Sequence, residues 1–105
     1  MAAHPVPTLT YRDRAILQAV ADGTAELVVS REPDLFLDGR CCSDQLAARR
    51  LAHAGLITAA APAAVGQRVL ARLTAAGRQQ LADDRAQWER LSRGVNLVLS
   101  PEEGA

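Results

Sequence analysis

The chain has 105 residues, 49% of them hydrophobic and 23% charged, which predicts one ordinary globular domain with a single modest core. No apolar run approaches the roughly 18 residues of a membrane-crossing helix, and two adjacent cysteines exclude a disulfide framework. Met1 to Pro7 lacks the basic start and apolar stretch of a secretory signal, so a cytoplasmic location is expected.

The formal net charge is zero, but the charges are unevenly placed. Residues 1–39 carry three arginines against six acids, residues 40–80 six arginines against Asp44 alone, and residues 81–105 three arginines against five acids. A basic middle between acidic ends points toward a polyanionic partner. Every cation other than histidine is arginine, the residue best suited to bidentate contact with phosphate or guanine.

Residues 1–8 hold two prolines and read as a flexible arm. Thr10 then caps a first helix over about 10–22, with Asp13 completing a capping-box-like pair. Asp13, Ile16, Leu17 and Val20 share one face, and Asp22-Gly23 stops the run. From Ala25 to Gly39 the sequence favours extended structure. Leu27–Val29 and Leu35–Leu37 flank the turn-forming Arg31-Glu32-Pro33-Asp34, which predicts a β-hairpin; the alternative is a short helix starting at Pro33. Ser43 is the expected N-cap of a second helix over 43–54, stopped by Gly55. On a wheel, Ala47, Leu51 and Ala54 point inward with Leu46 at their flank. Gln45, Ala48, Arg49 and Ala52 point outward, small residues interleaved with groups able to read base edges. Arg50 lies nearer the core side, where an ion pair with an acid of the first segment is as good a role as nucleic-acid contact.

Leu56–Ala60 and Arg68–Leu73 read as two strands joined by a long protruding loop. A last helix follows over about 74–93, with Gly94 as its expected end. Leu81, Trp88 and Leu91 mark its apolar stripe, and the apolar tail 95–99 calls for a partner surface. Residues 100–105 read as disordered. Cys41 and Cys42 are expected to act as small apolar packing residues. His4 and His53 stand at no metal-site spacing from them, so no metal or cofactor is expected. No nucleophile–base arrangement or glycine-rich phosphate loop is present, so no enzyme is read here.

Helix, β segment, Arg/Gln-bearing helix, two-stranded wing and closing helix follow one another in the order of a winged helix. Arg50-Leu51 before Ala54-Gly55-Leu56-Ile57, and Arg68-Val69 leading to Leu73-Thr74-Ala75-Ala76-Gly77-Arg78, resemble the winged helix-turn-helix transcriptional regulators of the MarR/PadR type over about residues 9–82. The resemblance implies an α+β, mostly α fold: a single winged-helix domain of three main helices and a two-stranded wing. Here an extra hairpin stands where that family has its middle helix.

It further implies sequence-specific binding of double-stranded DNA and regulation of transcription. The 43–54 helix would enter the major groove with Gln45, Ala48, Arg49 and Ala52 toward base edges. Arg40 and Ser43 would meet phosphate at its N-terminus, and Gln67 and Arg68, on the 58–70 wing, the backbone or minor groove. A homodimer is implied, with residues 83–99 as the dimerisation element. Its contacts would come from Leu81, Trp88, Leu91, Val95, Leu97 and Leu99. The alternative is a winged-helix protein-interaction module, in which the exposed strands pair with a protein partner instead of DNA.

Overall fold

In the computed structural model of the chain, residues 9–99 are described, with side chains described as far as Arg93. The expected arm (1–8) and tail (100–105) lie outside the described residues. The first helix, α1 (Tyr11–Ala21), begins as its capping box predicts. The Asp13 N–H donates to Thr10 Oγ1 and the Thr10 N–H donates back to Asp13 Oδ2, both at 3.0 Å. Ile16, Leu17 and Val20 are buried, and Gly23, at φ 80°, takes the left-handed turn that ends the run.

The expected hairpin forms as β1 (Ala25–Val28) and β2 (Leu35–Leu37). A further strand, β3 (Arg40–Cys41), folds back on β2 through Asp38 and Gly39, both at positive φ, as a two-residue hairpin turn requires. After α2 (Gln45–His53), strands β4 (Ile57–Ala59) and β5 (Arg68–Leu73) form the second hairpin. All five strands join one antiparallel sheet in the order β3-β2-β1-β5-β4. The class is therefore α+β, with more strand than the sequence predicts.

Alternation along the strands gives the sheet two unlike faces. Ala25, Leu27, Leu35, Ile57, Ala71 and Leu73 are buried beneath the helices. On the other face Glu26 stands opposite both Phe36 and Leu70, and the Arg68 guanidinium lies 4.0 Å from the Phe36 ring centre. Among the described residues, no helix is long and apolar enough to cross a membrane.

The closing helix, α3, runs over Ala75–Leu99. It passes through Gly94, contrary to the expected stop, because a single helical glycine costs only about 1 kcal/mol and ends a helix only by leaving helical φ. Thr74 supplies its N-terminal bond, its Oγ1 accepting from the Gly77 N–H at 3.0 Å. The Thr74 N–H donates to the Leu56 carbonyl, also at 3.0 Å, so the start of α3 rests on the start of β4. The two sequence motifs around Gly55-Leu56 and Thr74–Gly77 are thus one physical joint.

Candidate nucleic-acid interface

Helix α2 starts one residue later than expected. Asp44, not Ser43, caps it, with Oδ1 accepting from the Ala47 N–H at 3.0 Å. That hydrogen bond holds the Asp44 carboxyl below its ordinary pKa, and Arg12, 3.2 Å away, adds to the effect. Ala47 and Leu51 face the core as expected.

The face expected to point outward is covered instead. Ala48 is 1% exposed, and Ala52 packs against the core cluster. Gln45 Oε1 accepts from the Leu35 N–H at 2.9 Å, while Nε2 donates to the carbonyls of Leu35 (2.9 Å) and Cys42 (3.0 Å). Arg49 is half-buried, with Nη2 2.6 Å from Asp34 Oδ1. Its Nε is buried without a hydrogen-bond partner among the described residues. The physical cause is the β1–β2 hairpin and the segment that follows it, which lie against this side of α2. A wheel shows which residues share a face but not how many faces are covered.

Gln45 is consequently a bracket between α2 and β2. Gln45→Ala is expected to lower stability by about 1–3 kcal/mol, because the Leu35 peptide loses both partners that the side chain provides. Urea denaturation measures it, and an unchanged midpoint would show that these bonds do not hold the two elements together.

The free edge of α2 carries Leu46, Arg50 and His53, at helical spacing. Leu46 is 80% exposed, and nothing in the wheel distinguished it from an ordinary flank residue. Arg50 is half in solvent and pairs with Asp13 of α1, which is completely buried; the ion pair anticipated from the wheel is present. His53 Nε2 lies 2.9 Å from the Arg31 carbonyl and 3.0 Å from Glu32, tying the end of α2 to the β1–β2 loop. That loop also meets the base of the second hairpin. The Val29 N–H donates to the Gln67 carbonyl (3.0 Å), and the Gly66 N–H to the Val29 carbonyl (2.8 Å). The end of α2, the β1–β2 loop and the Gly66-Gln67 lead into β5 therefore meet along one margin.

Arg40, Ser43 and Gln67 are exposed as expected, although the Gln67 side chain is already engaged with the Ala64 N–H at 3.1 Å. Arg68 is held by Glu26 at 3.0 Å as well as by Phe36. Arg49, Arg50 and Arg68 pair with acids, so three of the six arginines of the basic middle are neutralised within the fold, as are Arg12 and Arg14 of α1. Arg31, Arg40 and Arg72 are exposed and form no ion pair with any described residue. Nothing in the sequence singles out Arg31, whose place beside His53 depends on the hairpin.

The dimerisation set divides. Leu81 is buried in the chain's own core, because α3 packs on α1 there, so it is not available to a partner. Asp84, beside it on the same face, pairs with Arg14, and the Arg14 guanidinium sits 5.9 Å from the Trp88 ring centre. Trp88 and Leu91 are 60% and 59% exposed. The side chains of Val95, Leu97 and Leu99 lie outside the described residues. Of the cysteines, Cys42 is buried as expected and Cys41 is exposed on its short edge strand. Compared with protein-family models, with curated proteins and with solved structures, the chain gives no match.

Proposed function

We propose that the chain is a winged-helix protein that binds double-stranded DNA and regulates transcription, with α2 in the major groove and the β4–β5 hairpin as the wing. The observation that carries this reading is the margin where the end of α2, the β1–β2 loop and the Gly66-Gln67 lead into β5 meet. A helix beside a two-stranded hairpin matches one element to a groove and the other to the neighbouring backbone. The sheet order β1-β5-β4, with α2 leading directly into β4, supports the same reading.

The phosphate contacts change from those the sequence suggested. Of the arginines that precede α3, Arg31, Arg40 and Arg72 are exposed without an ion pair to any described residue and are the ones this reading gives to phosphate, whereas Arg49 and Arg68 act mainly within the fold. A second copy of the chain is the partner this reading gives to Trp88 and Leu91, since a two-fold dimer presents two reading helices to a symmetric site.

Fluorescence anisotropy against random-sequence duplex, over about 50–200 mM salt, tests the proposal. Binding is expected to weaken steeply with salt. Arg31→Ala and Arg40→Ala are each expected to lower the log–log slope by about one. No binding at the lowest salt would overturn the proposal and favour the protein-interaction module, a reading that the neutralised arginines would then explain.

A further inference from the structure

Helix α2 has nine residues, and few of its side chains remain free to meet a partner. Gln45 is bonded to β2 and Cys42, Arg49 to Asp34, and Ala47, Ala48 and Leu51 are buried. On the remaining edge, Arg50 is held by Asp13 and His53 by the β1–β2 loop. Leu46 is the exception: a large apolar side chain, 80% exposed, in the first turn of the helix and free of any engagement that holds its neighbours. Exposed leucines are common and by themselves carry no meaning. This one stands on the free edge of the helix assigned to the groove, two residues after the cap Asp44 and one helical turn before Arg50, where a polar base-reading group would otherwise be expected.

The feature of the major groove that an aliphatic side chain can read is the C5 methyl of thymine, since every other base-edge signal there is a hydrogen-bond donor or acceptor. The N-terminal part of a recognition helix is also the part that approaches base edges. Resting on the DNA-binding reading above, we infer that Leu46 is a specificity-determining residue that selects thymine by apolar contact with its methyl group. Recognition by α2 is then methyl readout at its N-terminal turn, with phosphate-bound arginines fixing the register around it.

The test uses the full chain and a duplex that it selects from a randomised pool. Each thymine of that duplex is replaced in turn by deoxyuridine, which removes only the methyl group. At one or two positions the wild-type protein is expected to bind the uracil duplex about fourfold more weakly, the effect of withdrawing one buried methyl. Leu46→Ala, on an exposed position, is expected to melt like the wild type, to bind the thymine duplex several-fold more weakly, and to lose the thymine–uracil difference.

Salt-sensitive binding without an enriched sequence, equal affinity for both duplexes, or discrimination that survives in Leu46→Ala would each overturn the inference while leaving DNA binding intact. Absence of duplex binding at about 50 mM salt would remove the DNA reading and this inference together.

Discussion

Gly77→Ala is expected to destabilise the fold by about 3 kcal/mol and to lower the melting temperature by roughly 10 °C or more. Helix propensity alone predicts the opposite sign, since alanine is favoured over glycine inside a helix by up to about 1 kcal/mol. The difference lies in what a Cβ would meet. Built on the Gly77 backbone, it overlaps the Leu56 carbonyl oxygen and also crowds the carbonyl carbon (3.0 Å) and Cα (3.3 Å) of the same residue. These are backbone atoms, and the oxygen already accepts the Thr74 N–H, so no side-chain rotation relieves the overlap. Relief requires α3 to lift from β4, which loosens the Thr74 bond and the packing of Leu81 beyond it. Thermal melting by circular dichroism measures the change. A variant that melts at or above the wild-type temperature would show that α3 does not approach Leu56 so closely. The same joint sets how β4 leaves the end of α2, so a shift there also moves the β4–β5 hairpin relative to α2.

That joint shows what a sequence can and cannot carry. The spacing of Ala54-Gly55-Leu56-Ile57 and Leu73-Thr74-Ala75-Ala76-Gly77 was visible, and so were the helix ends that Gly23 and Gly55 impose, because such signals depend on local geometry. The helices α1 and α2, the first hairpin and the β4–β5 pair were legible for the same reason. Strand β3 was missed although Asp38-Gly39 is a strong two-residue turn signal; with only two residues after the turn, the hydrophobic pattern had nothing to add.

The larger difference between pattern and structure lies in α2. Its Gln/Arg face reads as solvent-exposed only if one side of the helix is covered. In this fold β2 supplies a second cover through Gln45, and Asp34 holds Arg49. A charge pattern cannot distinguish an arginine that meets phosphate from one that meets an aspartate fifteen residues away. Leu46 became visible as a candidate only after that second cover was known.

Arg50→Met is the other large effect, expected at about 2–3 kcal/mol. Asp13 is 0% exposed, and its carboxylate has two partners: the Thr10 N–H of the capping box, at 3.0 Å, and the Arg50 guanidinium. Methionine preserves the apolar stem of Arg50 but leaves a buried carboxylate without its cation. Removing one partner of a fully buried pair costs about 3–5 kcal/mol, and the smaller figure reflects that Arg50 itself is half in solvent. Asp13→Asn in the Arg50→Met background is expected to recover at least 1 kcal/mol. The neutral amide oxygen still accepts the Thr10 N–H, and no buried charge is left behind. Strict additivity of the two substitutions would show that the pair is not coupled. The double variant also separates the two roles open to Arg50. If its work is to hold α1 against α2, DNA affinity returns with stability, which is the expected result. If the guanidinium meets DNA directly, stability returns and affinity does not, because methionine cannot replace its contact with phosphate.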